Sequence, residues 1–323
     1  MKTLKRLLCG LGVSMICSGA SLAADAYPTQ PITLVNPYAA GGPADVLGRA
    51  LARELEKQLG KPVIVENKAG GGAAIGANFV ARAKPDGYTL LLGTSAAHVV
   101  TPLMQRTAYD GIKDFAFVTI VANQPNMLVV RSSLPVSTLP ELIALARKEP
   151  GKINYASAGP GSSPHLGGEL FRQQAKVDIM HIPYSGAAPA INDLVGGQVD
   201  MAVLNLAASV QFIRSGKLKA LAYANPKRSA LFPDVPTLAE AGVSGAESAS
   251  WYSLAAPKGT PQAVLEKLNK AVQAVNQSPE YRKLMDAQGV ELWTLTPQEA
   301  TQYVEKDQLA MRKLVDSAGL TKK

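Results

Sequence analysis

Residues 32–67 read ITLVNPYAAGGPADVLGRALARELEKQLGKPVIVEN, and their order decides the fold class. Ile32 to Asn36 and Val63 to Glu66 are short, rich in branched residues and bounded by Pro, Gly or Asn, as strands are. Between them Leu47, Leu51, Leu55 and Leu59 recur at four-residue spacing while Arg49, Arg53, Glu54 and Lys57 fall elsewhere on the wheel, which predicts an amphipathic helix. Pro43 suits its first turn, Asp45 complements its positive end and Gly60 stops it. The unit is strand, glycine turn, helix, strand.

Outward from this stretch the alternation continues. Tyr88 to Gly93, Phe115 to Val121, Met127 to Val130, Ile153 to Ser157, Ile179 to Pro183, Val199 to Asn205 and Leu218 to Ala224 read as strands. Thr138-Leu139-Pro140-Glu141 reads as a capping box opening a helix through Arg147, and further helical stretches fall near 164–175, 188–195 and 207–215. The tail from Pro261 is mostly helical, with a short strand near Val290 to Leu295. Such alternation predicts an α/β protein with parallel-rich sheets covered by helices on both faces. Two interruptions, Ala122 to Asn126 and Gly242 to Ser250, read as crossovers. They divide the mature chain into a first lobe (27–123 and 251–323) and a second (124–250), with a cleft between them at the carboxyl ends of strands.

The 323 residues, 47% apolar and 18% charged, are enough for two globular cores and too hydrophobic for a disordered chain. Met1 to Ala26 has a basic start (Lys2, Lys5, Arg6), an apolar run from Leu7 to about Leu22 and a small-residue cleavage site at Ala24 and Ala26, with Ala23 as an alternative cut. It reads as a cleavable export signal, which places the mature chain in a periplasm as a mostly monomeric protein. Large residues before Cys9 and Cys17 disfavour a lipid anchor. Both cysteines lie in this segment, so disulfides, a Cys nucleophile and thiolate metal sites are excluded from the mature chain. Removing the segment leaves 30 basic against 24 acidic side chains, scattered rather than clustered.

Four loops follow strands and precede helix starts: Pro37 to Asp45, Gly93 to His98, Ala158 to His165 and Tyr184 to Pro189. All are rich in Gly, Ser or Ala. Backbone N–H groups at helix amino ends, with serine hydroxyls, hold an anion without a cationic side chain; the plainer reading is a set of tight turns. Enzyme signatures are weak. The Gly93-Thr94-Ser95-Ala96-Ala97 stretch lacks the last glycine of a nucleophile elbow, so a secreted Ser-His hydrolase using His98, His165 or His181 is the least favoured reading. The histidines have no metal-ligand spacing, Gly70, Gly71, Gly72 and Gly76 miss the dinucleotide spacing, and no phosphate loop occurs. Neither a cofactor nor nucleic acid is expected, since aromatics are only 6% and the cations spread over helix faces. Trp251 and Tyr252 fall at the second crossover, where they wall a cleft or fill a hinge.

Several of these stretches together resemble one family. Pro37 to Asp45, Asn67 to Ala77, Lys84-Pro85-Asp86-Gly87-Tyr88-Thr89-Leu90, the Ser162-Ser163 loop, Ile182 to Gly186, Gly197-Gln198-Val199-Asp200 and Phe232 to Gly242 are similar, in order and spacing, to the Bug family of periplasmic receptors of tripartite tricarboxylate transporters. The resemblance spans essentially the whole mature chain. It implies a two-lobed type II periplasmic binding fold, each lobe a mixed, mostly parallel sheet flanked by helices, that closes on a small carboxylate and delivers it to membrane permease subunits. A receptor of this fold serving a sensor kinase is the alternative. It also implies that the carboxylate is held by amides, small hydroxyls and waters. Carried onto this chain, the ligand residues are Tyr38, Ala40, Gly41 and Gly42 in the first loop, Ser95 in the second, Ser162 and Ser163 in the third, and Gly186 and Ala187 in the fourth. Asn205 stands where relatives often have an acid, which weighs against amino acid ligands.

Overall fold

The computed structural model describes residues 27–321; the expected signal segment, 1–26, lies outside the described residues. The strands are β1 (Ile32–Asn36), β2 (Val63–Asn67), β3 (Thr89–Thr94), β4 (Phe115–Arg131), β5 (Asn154–Ser157), β6 (Met180–Pro183), β7 (Met201–Asn205), β8 (Leu218–Tyr223), β9 (Ala249–Pro257) and β10 (Glu291–Leu292). The helices are α1 (Pro43–Leu59), α2 (Ala74–Ala81), α3 (Thr101–Met104), α4 (Leu139–Lys148), α5 (Ser163–Ala175), α6 (Ala187–Val195), α7 (Leu206–Arg214), α8 (Gln262–Gln277), α9 (Pro279–Asp286) and α10 (Pro297–Ser317). A π-helical turn, Ala96–Val100, leads into α3.

The strands run in the order β2-β1-β3-β9-β4-β7-β5-β6, with β8 and β10 added beside β4. The outer ladders, β2/β1/β3 and β6/β5/β7, are parallel, as expected of β-α-β units. Every ladder made by β4 is antiparallel, so the antiparallel share exceeds what the alternation alone predicts.

Strand β4 differs from its sequence reading. Two strands and a loop were expected over 115–130, because Asn123, Pro125 and Asn126 are turn residues. Instead one strand of 17 residues continues through them. Its first part pairs with β9 as far as Pro125 opposite Ala249; from Asn126 and Met127 it pairs with β7 and β8. Proline has no N–H to give a ladder, and here it falls where the strand changes partners. The return is made at β9, with the Ser248 carbonyl accepting the Asn126 N–H at 3.0 Å.

Each part of β4 lies between two helical layers. Around its first part, α1 and α8 cover one face of the sheet through Leu47, Leu51, Leu268 and Val272, and α2, the π-helical turn and α10 cover the other through Val80, Val99 and Val304. Around its second part, α4 and α5 cover one face and α6 and α7 the other. Four core clusters, two around each part of one shared strand, form two lobes.

His98 is one of the fully buried polar groups, set among the rings of Phe115, Phe117 and Trp251. Its Nδ1–H donates to the Gly111 carbonyl at 2.7 Å, which leaves Nε2 to accept from the Ser253 hydroxyl at 3.1 Å. A Cβ at Gly93 would collide with this ring and the Ser253 hydroxyl, so only glycine passes there. Burial pulls the imidazole pKa down from 6.5 to about 4, the Gly111 bond opposing in part. The unfolded chain therefore takes up this proton near pH 6.5 and the native chain near pH 4. Stability is full above pH 6.5 and lost as the pH falls toward 4, at no more than about 1.4 kcal/mol per pH unit for one such group. Melting curves between pH 7.5 and 4 should show this acid-side loss, with a shallower slope in His98→Gln; equal slopes would contradict it.

Candidate functional site

The first loop leaves β1 at Asn36, whose Oδ1 accepts the Tyr38 N–H at 3.3 Å. Asp45, in the first turn of α1, then folds the loop back: its carboxylate accepts from the Gly41 N–H and Arg49 Nε, both at 3.0 Å, and from Asn67 Nδ2 at 2.9 Å. Burial pushes the Asp45 carboxyl up, but these hydrogen bonds outweigh it and hold the pKa below the ordinary carboxylate range. The Gly41 amide is thus spent inside the loop, and Gly41 and Ala40 stand exposed on the rim. A Cβ at Gly41 meets nothing within 4 Å; glycine is suited there by its φ of +83°.

The loop's inner residues, Tyr38, Ala39 and Gly42 to Ala44, form one wall of a narrow cavity that opens to solvent. The opposite wall comes from the second lobe: Ala158 and Ser162 to Pro164 at the start of α5, and Gly186 to Ala188 at the start of α6. Asn205, which opens α7, together with Thr94, Ser250 and Tyr252, closes the back. The two walls come close at Gly186 and Ala39, where a Cβ on Gly186 would lie 3.5 Å from the Ala39 Cβ.

Among the described residues, no Lys, Arg, His, Asp or Glu lines this cavity. Its polarity comes from helix ends. The first amides of a helix have no intrahelical acceptor, and the summed peptide dipoles leave about half a positive charge there. Pro43, Pro164 and Pro189 take one donor from each first turn. The remaining amides of Ala44, Ser163, Ala187 and Ala188 meet no acceptor among the described residues. Three helix amino ends therefore face one space, from two lobes.

The side chains around this space form a network. Asn205 Nδ2 donates to Asn126 Oδ1 at 2.8 Å and to Ser250 Oγ at 2.9 Å; Asn126 Nδ2 donates to Ser163 Oγ and Ser248 Oγ at 2.8 and 2.9 Å. Since the Ser163 oxygen accepts, its own hydrogen is free to donate into the cavity. Tyr252 donates to Gln124 Oε1 at 3.1 Å, and Tyr38 and Thr94 share a 3.3 Å hydroxyl contact. Burial pushes both tyrosines up, so they are neutral walls with polar tips.

Seven of the ten expected residues are brought together here: Tyr38, Gly42, Ser162, Ser163, Gly186, Ala187 and Asn205. Ala40, Gly41 and Ser95 are not. Ser95 points to the other face of the sheet, where its Oγ donates to Asp307 of α10 at 2.8 Å beside Trp251 Nε1 at 3.0 Å. Burial raises the Asp307 pKa, against the pull of these two hydrogen bonds. Thr94 lines the cavity in place of Ser95. Strand alternation held that information, because Leu90 and Leu92 pack into the core under α1 and Thr94 shares their face. Ser250 falls in the stretch that reads as a crossover; its place at the cavity depends on Asn205, 45 residues away.

Residues 47–320 match the tripartite tricarboxylate transporter family receptor profile. The chain belongs to that family. BugT of Bordetella pertussis is 38% identical over 303 residues, 93% of each chain. Among solved structures, the periplasmic binding protein BugD is 37% identical with a TM-score of 0.88 over 92% of this chain and all of its own. An R. palustris protein solved with adipate is 36% identical, with a TM-score of 0.89 over 92% of this chain and all of its own. MatC of Rhodopseudomonas palustris, solved with bound malate, is 34% identical with a TM-score of 0.85 over 90% of this chain and all of its own. The family is one of periplasmic solute-binding receptors, not enzymes, and its fold is the two-lobed periplasmic binding fold. No helix among the described residues is long and apolar enough to cross a membrane.

In this receptor Ser162 serves the loop. Its Oγ donates to the Gly159 carbonyl at 2.6 Å and accepts the His165 N–H at 3.3 Å, capping α5. Ser162→Ala should lower the unfolding free energy in urea by about 1 kcal/mol, the usual cost of a lost cap. Unchanged stability would contradict that assignment.

Proposed function

We propose that this receptor captures a small carboxylate between its lobes and delivers it to the membrane permease of a tripartite tricarboxylate-type transporter. The observation that carries the reading is a cavity that no charged side chain of the described residues lines and onto which three helix amino ends open. Such a site favours an anion. It offers no acidic cage for a cation, and its polar groups are amides and hydroxyls suited to carboxylate oxygens. The adipate and malate seen with related proteins are of the same class.

Helix ends on both sides of the cavity favour a ligand with negative charge at more than one point, hence a di- or tricarboxylate ahead of an aromatic acid. Tyr38 and Tyr252 supply an apolar wall for the chain between the charges. Amino acids fit less well, because Asn205 brings no negative charge to meet an ammonium group. The ligand residues in this reading are Tyr38, Gly42, Ser163, Gly186, Ala187 and Asn205, with Thr94 and Ser250, while Ser162, whose N–H and hydroxyl both bond Gly159, shapes the loop that presents Ser163. The moving units are 27–123 with 251–321, and 124–250, closing as a hinge about β4 and the start of β9.

A melting-temperature screen tests the class. A ligand at 100 times its dissociation constant stabilises the native state by about 2.7 kcal/mol, which at about 2 °C per kcal/mol predicts a shift of about 5 °C. Adipate, malate, succinate or citrate should give such shifts in wild type. Ser163→Ala should weaken binding of the same acid by about 1 to 3 kcal/mol. Shifts confined to sugars, nucleotides or polyamines would overturn the reading.

A further inference from the structure

Two imidazoles lie directly beneath the third loop and are not used in the cavity. His165 sits in the first turn of α5, and its Nδ1 accepts the Gly161 N–H at 3.1 Å. That bond needs an unprotonated Nδ1, so the ring is neutral with its hydrogen on Nε2. His181, on β6, stacks on His165 with ring centres 4.2 Å apart and shares a 2.7 Å hydrogen bond with Ser157 Oγ. Ser157 Oγ in turn accepts the Gly159 N–H at 3.1 Å. One ring thus holds the start of the loop and the other its end.

We propose that His165, backed by His181, is a positioning residue for binding: loop 158–163 keeps its shape only while the His165 ring accepts the Gly161 amide, which makes the receptor's grip on its ligand acid-labile. The consequence for the ligand rests on the receptor reading above; the effect on the loop does not. Protonation would turn the acceptor into a second donor facing the Gly161 N–H. It would also set a charge against the second imidazole. The loop would have to move, and with it Ala158, Ser162 and Ser163 at the cavity wall. The same loop meets the first lobe, where a Cβ on Gly161 would lie 3.2 Å from Thr101 Oγ1 and one on Gly72 2.7 Å from the Pro160 carbonyl. Loosening it would weaken the contact between lobes together with the wall.

The charged groups around the pair are few. From α5, Glu169 faces both rings, but its carboxylate already accepts from Arg172 Nε at 2.9 Å and from the Tyr155 hydroxyl at 2.6 Å. From β5, the Tyr155 ring stacks on His181 at 4.9 Å. Burial lowers the pKa of both histidines, and His165 adds repulsion at His181, bringing the latter to about 4; Glu169 opposes in part. The rings are neutral at pH 7 and the loop is in its holding state.

The test reads the loop directly, without ligand. The chain has two Pro-Gly pairs, Pro150-Gly151 and Pro160-Gly161. Carbon-labelled proline with nitrogen-labelled glycine therefore selects two amides in NMR, and Gly151, bonded to the Asp178 carbonyl, is an internal control. Between pH 7.5 and 4 the Gly161 amide should shift and lose exchange protection with the same midpoint as the His165 ring, while Gly151 stays constant. In His165→Gln, whose amide oxygen accepts without titrating, the Gly161 transition should vanish. Adipate affinity should fall about tenfold per pH unit below that midpoint in wild type, beyond the change in His165→Gln that reports the acid's own ionisation. A Gly161 amide indifferent to pH in wild type, or a transition kept in His165→Gln, would overturn the proposal. Failure to bind adipate at pH 7.5 would count against the ligand consequence, with the loop's titration still decided by Gly161.

Discussion

Unpaired amides at helix amino ends are the resource on which this structure is organised. A buried donor without an acceptor is costly, so the chain exposes these ends only around a cavity that water or a ligand fills. Bringing three of them together requires small residues at the wall and proline where a donor is not wanted. Gly42, Gly186 and the alanines beside them meet that need, as do Pro43, Pro164 and Pro189. Hydrogen bonds within the loops then fix them, through Asp45 in the first lobe and through Ser162 and the two histidines in the second.

The point where β4 changes partners and the cavity are one hydrogen-bonded system. Asn126 sits where β4 changes partners, is fully buried, and donates to Ser163 at the cavity and to Ser248 just before the returning strand. Asn205 ties the same point to Ser250. Buried amide networks of this kind are strong when every member is satisfied. A group bound at Ser163 therefore acts on the residues about which the lobes would rotate, which gives closure a physical route from ligand to hinge.

Much of this was legible in the amino-acid order. The four-residue leucine spacing of α1 and the glycine turn before it announce the β-α-β unit, and the loops that open α1, α5 and α6 stand out as candidate sites because small residues precede helix starts; all three line the cavity. Legibility failed where a residue's role depends on distant partners. Pro125 and Asn126 look like a turn, yet pairing to β7, β8 and β9 keeps them in strand conformation. Ser95 and Thr94 are adjacent hydroxyls, and only the face of β3 that each occupies separates a cavity wall from a bond to Asp307. Helix α2 went unread because three glycines precede it without a polar cap; its N-cap, Ala73, has a φ of 76°.

The central claim is that a carboxylate is held here by main-chain amides without a counter-charge. A crystal structure of the receptor with the acid it retains or takes up tests this most directly. The account predicts carboxylate oxygens at about 2.7 to 3.2 Å from the amides of Ala44, Ser163 and Ala187 or Ala188 and from the Ser163 hydroxyl, with no lysine or arginine within reach. A carboxylate paired with a basic side chain, or a ligand seated outside this cavity, would contradict it.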